Sequence, residues 1–200
     1  MTDLNIVMLS EEDALENIGK IARLRIDIFL EYPYLYEGDL EYESKYLKKF
    51  SKAPNFMITA IKDGDRIVGA MTGLPLSHEE ANVKFPWTTH NLDTDRIYYF
   101  SEILLYPKYR RMGHGKRIFH VAEKKIASYG KYSKFALATV VRGKNHPQRP
   151  KNYIDTDGFW QKLGYKKQKN LVCHIPWKEI GEKEESNKPL VFWAKNCAAN

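Results

Sequence analysis

The sequence predicts one α/β domain, a mixed central sheet of about seven strands flanked by about four helices. Three observations carry this expectation. Short β-branched and aromatic runs recur along the 200 residues, stretches with helical apolar spacing stand between them, and the two interleave as β-α-α-β-β-β-α-β-α-β-β. The length and the 43% hydrophobic content suit one core of ordinary size.

Leu4 to Leu9 reads as the first strand. Ser10-Glu11-Glu12-Asp13 is a helix start, its hydroxyl placed to accept from a free first-turn amide. Leu15, Ile18, Ala22 and Phe29 then recur at helical spacing, which predicts a helix to about Leu30, stopped by Pro33. A second helix is expected over Asp39–Phe50. Phe56–Ile61 and Arg66–Leu74 are strand-like and joined by the turn signal Lys62-Asp63-Gly64-Asp65. Residues 75–95 are polar, contain Pro75 and Pro86, and read as a long loop in which Phe85, Trp87 and His90 form a lid. Ile97–Tyr106 is a strong strand, residues 118–129 a helix ended by Gly130, and Phe135–Val141 the next strand. After a basic loop over 143–152 come a short helix at Thr156–Leu163 and strands at Tyr165–Ile175 and Leu190–Ala194.

The net charge of +7 admits nucleic acid, an anionic membrane surface or a phosphorylated small molecule as partner. Basic residues recur at 108–117, 124–134, 142–151 and 166–169, whereas acids dominate 11–16, 31–43 and 179–185. That segregation suggests one face for an anion and another for something neutral or cationic. No stretch approaches the ~20 apolar residues of a membrane span. Met1-Thr2-Asp3-Leu4 lacks the basic start of a signal peptide. Cys173 and Cys197 fit neither a disulfide framework nor a zinc cluster and read as free thiols in the cytoplasm, Cys173 in the core. No His and carboxylate spacing suggests a metal site.

Arg110-Arg111-Met112-Gly113-His114-Gly115-Lys116-Arg117 places two glycines among basic side chains, between a strand and a helix. A P-loop needs glycine where Arg110 stands and Ser or Thr where Arg117 stands; a dinucleotide fingerprint needs glycine in place of Ile118. Both readings fail. What remains is either a glycine-softened turn with solvated arginines or an anion nest formed by free first-turn amides and the positive end of a helix dipole.

The stretch from Tyr99 through Arg117, with Glu102-Ile103-Leu104-Leu105-Tyr106 leading into the glycine loop, resembles the acyl-CoA-binding motif of the GNAT N-acetyltransferase superfamily. Phe159-Trp160-Gln161-Lys162-Leu163-Gly164-Tyr165 is similar to that family's second signature, and the spacing between the two fits. The resemblance implies acetyl transfer from acetyl-CoA to the amine of a small molecule or peptide, with no nucleic acid, membrane or metal. It implies that the strand ending in Leu104, Leu105 and Tyr106 parts from the Phe135–Val141 strand to admit the pantetheine arm. The amides of Arg111, Met112, Gly113, His114 and Gly115 would then hold the pyrophosphate, with Arg110 and Lys116 adding charge. Pairing of two chains through the C-terminal strands is also implied, and the apolar Leu190–Trp193 run permits it.

An amine of pKa ~10.4 is less than about one part in a thousand neutral at pH 7, so transfer needs a proton acceptor. Glu102 is the candidate general base, directly or through water; the alternative reading is a structural glutamate at a strand bulge. A backbone N–H near Leu105 would stabilise the oxyanion by on the order of 3 kcal/mol. The sequence departs from the family at Trp160, where many members carry a tyrosine to protonate the leaving thiolate. Trp160 is expected to pack, leaving Tyr153, Tyr165 or water as the proton source. By the same resemblance, Glu31-Tyr32-Pro33-Tyr34-Leu35-Tyr36-Glu37-Gly38-Asp39 lies where the acceptor pocket is built, with Glu182-Lys183-Glu184-Glu185 placed to line the same opening, and tyrosines and carboxylates suit a cationic amine; the alternative is that these loops are acidic because they are wet. Two rival readings are a non-catalytic acyl-CoA sensor and a basic nucleic-acid-binding module, the latter without any recognised binding motif.

Overall fold

The computed structural model describes residues 4–197, so Met1–Asp3 of the signal-peptide reading lie outside the described residues. The strands are β1 (Asn5–Met8), β2 (Met57–Asp63), β3 (Arg66–Pro75), β4 (Ile97–Leu105), β5 (Lys134–Val140), β6 (Lys166–Trp177) and β7 (Ser186–Asn196). The helices are α1 (Glu11–Phe29), α2 (Leu40–Phe50), α3 (Ala81–Thr88), α4 (His114–Ala127) and α5 (Asp157–Lys162). One sheet of seven strands runs in the order β1-β2-β3-β4-β5-β7-β6, antiparallel except for the β4–β5 pair.

The local signals act as their chemistry requires. Ser10 Oγ accepts from the Asp13 amide at 3.1 Å and opens α1, and the Asp39 carboxylate accepts from the Tyr42 amide at 2.8 Å and opens α2. Gly64, at φ +59°, makes the turn between β2 and β3.

The expected loop over 75–95 is corrected by α3. This helix buries Val83, Pro86 and Trp87 and is tied to β6 by Asn82 Nδ2, which donates to the His174 carbonyl at 2.8 Å. Its single turn-and-a-half of apolar contact, with a proline inside, leaves little periodicity for a sequence reading to find. Trp87 is 1% exposed and anchors the segment in the core, whereas Phe85 and His90, named with it as a lid, are exposed.

Helices α1 and α2 cover one face of the sheet and α4 the other, with Phe119 and Ile126 of α4 buried against Phe100 and Phe135. Cys173 is buried as a free thiol, its pKa pushed up to about 12 by burial. The run Leu190–Trp193 is consumed by this core, because β7 lies between β5 and β6 and all four side chains are buried. It is therefore no exposed surface for pairing two chains. Among the described residues no helix is long and apolar enough to cross a membrane.

Candidate active site

Strand β4 carries the site because of one irregularity. Its register against β3 shifts between Thr72, opposite Glu102, and Gly73, opposite Phe100, so Ser101 is an extra residue. A bulge bends its strand and breaks the alternation of faces. Before it, Tyr99 faces the α3 side of the sheet and Tyr98 and Phe100 face α4; after it, Leu104 faces α1 and Leu105 faces α4. Ser101 and Glu102, neighbours in sequence, consequently line the same cavities. Gly73 permits this, since a Cβ there would lie 2.7 Å from the Tyr98 ring and 3.0 Å from the Tyr99 carbonyl oxygen.

The bend also parts the sheet. Strands β4 and β5 pair only from Ile97–Lys134 to Tyr99–Ala136, although β4 continues to Leu105 and β5 to Val140. Beyond Tyr99 the β5-facing edge of β4 has no strand beside it. A cavity of about 160 Å³ occupies this region, lined among others by Ile103, Leu137, Thr139, Tyr153 and Trp160. A second cavity of about 390 Å³ lies toward α1, α2 and α3, and Ser101 and Glu102 belong to both.

At the C-terminal side of β4 the chain reaches the glycine loop. Arg111 takes φ +63° and Gly113 φ +85°, and Gly113 precedes α4 with no side-chain cap. The first backbone bond into the helix is donated by Arg117 to the Gly113 carbonyl, leaving the amides before it pointing out of the helix head. Arg111, Met112, Gly113 and Lys116 are exposed, and the buried Nδ1 of His114 has no partner. Left-handed backbone and free amides together fit an anion. Gly115 has a different reason to be glycine: a Cβ there would lie 3.3 Å from the Phe159 ring. The two sequence motifs are thus packed on one another.

Arg110 departs from its expected part. Its two terminal nitrogens donate to both oxygens of Glu31 at 2.7 and 3.0 Å, and its Nε donates to the Leu105 carbonyl at 2.7 Å. The guanidinium fastens the loop to the end of α1 and is not held out toward an anion. Tyr106 is similarly engaged, its hydroxyl donating to Asp27 at 2.7 Å.

Glu102 is buried, and one of its oxygens is paired with Arg25 of α1. Arg25 also pairs with Glu43 of α2, whose other oxygen accepts from the Tyr36 hydroxyl at 2.7 Å. The Phe29 and Tyr46 rings face the guanidinium at 5.2 and 4.7 Å. The second oxygen of Glu102 is buried without a partner. Sequence reasoning missed Arg25 and Glu43, yet both carry a readable signal: each stands on the buried stripe of an amphipathic helix, Arg25 four residues after Ile21 and Glu43 four before Leu47.

Glu79 was also missed, being in the segment read as loop. It is buried, and its carboxylate accepts from the Ser101 hydroxyl at 3.1 Å and the Glu80 amide at 3.2 Å. Desolvation by burial pushes its pKa up. Tyr34, Tyr36 and Glu185 of the expected acceptor segments do line the larger cavity. Glu31 and Glu182 are committed elsewhere, Glu182 to Lys188 at 2.7 Å, whose hydrogen bond holds the Glu182 carboxyl down at about 2.

Of the two tyrosines considered as proton source, Tyr153 lines the smaller cavity, whereas the Tyr165 hydroxyl donates to Glu123 at 2.7 Å and Tyr165 lines neither cavity. Trp160 is packed edge-to-face on Phe119 at 5.4 Å, and its Nε1 donates to Thr156 Oγ1 at 2.9 Å.

A sequence profile of the acetyltransferase (GNAT) family matches residues 21–165, and the chain belongs to that family. Among similar solved structures is yncA from Salmonella typhimurium with its cofactor acetyl-CoA, at TM-score 0.61 and 8% identity over 98% of this chain and 95% of that one. An N-acetyltransferase from Staphylococcus aureus Mu50 aligns at TM-score 0.62 and 12% identity, over 98% and 99% of the two chains. The ribosomal-protein-alanine N-acetyltransferase from Brucella melitensis aligns at TM-score 0.62 and 11% identity, over 96% and 99%. At these identities the likeness is one of fold. No curated protein sequence matches the chain.

Proposed function

We propose that this protein transfers an acetyl group from acetyl-CoA to the nitrogen of an amine. The observation that carries the reading is the unpartnered oxygen of Glu102, buried where the two cavities share a wall. The parted strands suit an extended pantetheine arm, because the free edge of β4 offers it the hydrogen bonds of an added strand. The amides of residues 111–116, with the positive end of α4 and the Lys116 charge, suit the pyrophosphate. The thioester brings the acyl group; the chain's own residues position it and manage the protons.

The amine enters from the larger cavity. The amine's lone pair forms the bond to the acyl carbon as the C–S bond breaks, and one N–H proton passes through water to the sulfur; before that lone pair exists, the ammonium form must give up its first proton. Glu102 takes that proton on its free oxygen, while Arg25 holds the other and so fixes the carboxylate's direction. The departing thiolate is protonated to the thiol. Tyr153 is the phenol on that side, and burial pushes its pKa up. It therefore keeps its proton through the neutral range and assists the sulfur by donating a hydrogen bond. Water supplies the proton.

The reading is tested by following thiol release from acetyl-CoA across a panel of amines. Amine-dependent release supports it; binding of acetyl-CoA without release by any amine would leave a sensor. The loop assignment has its own test. Gly113→Val should weaken coenzyme A binding about tenfold in calorimetry, since a β-branched residue at positive φ costs on the order of 1–2 kcal/mol. The space around that Cβ is open, so the loss comes from the backbone leaving its conformation. Unchanged affinity would place the pyrophosphate elsewhere.

A further inference from the structure

The larger cavity has an unbalanced charge. Three buried carboxylates, Glu43, Glu79 and Glu102, line it, and Arg25 is the one cation among its lining residues. Arg25 is taken up by Glu43 and Glu102. Glu79 has only the Ser101 hydroxyl and the Glu80 amide, and among the described residues no lysine or arginine forms an ion pair with it. Glu80 beside it is paired outward with Lys49. A buried carboxylate is expensive unless a cation compensates it. Tyr36, Tyr46, Tyr99 and Trp177 line the same space and present the aromatic faces on which an ammonium group is stabilised. The unpartnered oxygen of Glu102 is a second, independent sign of a missing polar occupant.

We infer that Glu79 is the counter-charge for the acceptor's ammonium group, so that the site selects amines with no carboxylate beside the nitrogen. This rests on the larger cavity being the acceptor side of the proposed transferase. Selection follows from the same count of charges. An α-carboxylate entering with the amine would meet three buried acids and find the one arginine already occupied. Ser101 donates to Glu79, and its neighbour in the bulge, Glu102, lines this cavity as well as the smaller one. An ammonium docked on Glu79 is therefore delivered next to the group proposed to deprotonate it. Glu79 is a specificity-determining residue, and Glu102 remains the base.

The experiment compares n-pentylamine with norleucine, which is the same amine bearing a carboxylate on the adjacent carbon. In the full-length protein with coenzyme A present, so that no acetyl group can move, calorimetry reads binding alone. Pentylamine should bind the parent at least about tenfold more tightly than norleucine, as expected when a buried charge pair forms in one case and repulsion arises in the other. Glu79→Gln should bring the two amines to within a few fold, chiefly by weakening pentylamine, while Glu79→Asp keeps the preference. Coenzyme A affinity should be the same in all three proteins. Glu79→Gln should also melt no lower than the parent at neutral pH. A carboxyl whose pKa is raised by folding destabilises the fold once pH exceeds the ordinary carboxylate range, and the amide removes that cost. Equal binding of pentylamine by parent and Glu79→Gln, no binding by the parent, or preference for norleucine would each overturn the inference. These readouts do not depend on turnover. Absence of thiol release with any amine would count against the transferase reading and leave the charge selection standing.

Discussion

Glu102→Gln should slow amine acetylation by on the order of 100-fold near neutral pH, the lower end of what a positioned general base contributes. Glutamine keeps the shape and still offers Arg25 an oxygen, so the ion-paired side of the group is replaced by a hydrogen bond. What is lost is the free oxygen that takes the proton. The deficit should narrow as pH rises toward the amine's own pKa, ~10.4 for an alkylamine, because the uncharged nucleophile then forms without help. Acetyl-CoA affinity should be unchanged, which separates loss of the base from collapse of the strand fork. Steady-state thiol release over about pH 6–9, with calorimetry alongside, checks all three statements. Equal rates for variant and parent over that interval would remove Glu102 from the chemistry.

The second large effect is structural. Arg25, Glu43 and Glu102 have side chains only 9%, 1% and 4% exposed. Arg25→Met keeps the bulk of the side chain between the Phe29 and Tyr46 rings but leaves two carboxylates buried without their cation. Breaking a buried ion pair from one side costs about 3–5 kcal/mol. For a domain of this size that corresponds to a fall in melting temperature of roughly 6–20 °C. The fall should shrink in acid, where protonation discharges the stranded carboxylates, and Glu43→Gln added to Arg25→Met should restore part of the loss. Thermal melts of the two variants at neutral and acid pH decide it. A loss below about 1 kcal/mol would mean that the network is open to solvent and behaves as a surface pair.

Much of this was readable without coordinates, and the readable parts share a property. The cap at Ser10, the stop near Pro33, the turn at Gly64 and the helix following Gly113 are each set by neighbours in sequence. Their chemistry is local, so spacing reveals them. The two motifs around Gly113 and Phe159 were legible for the same reason, though not that the Phe159 ring lies close against Gly115. The helix over Ala81–Thr88 escaped because its stability comes from burying Val83 and Trp87 against other elements. Propensity and period said little there, and contact decided.

The candidate site divides along the same line. That Glu102 sits on a strand ahead of an anion-suited loop follows from the order of residues alone. That it shares its cavities with Ser101 follows from the bulge, which reverses the alternation of faces and is invisible to a period-two reading of Ile97–Leu105. Arg110 had the right charge and place for an anion and was diverted by Glu31, a residue 79 positions away. Glu79 was hidden altogether, since nothing in its neighbours says that a charged side chain there will be buried. The sequence by itself determined the elements other than α3, their order and the loop at the head of α4, because these depend on backbone preferences and apolar spacing over a few residues. Only the tertiary structure decided which charges are compensated and which are left to meet a substrate, because ion pairs form between whatever side chains the fold brings within a few ångströms, however far apart the chain has placed them.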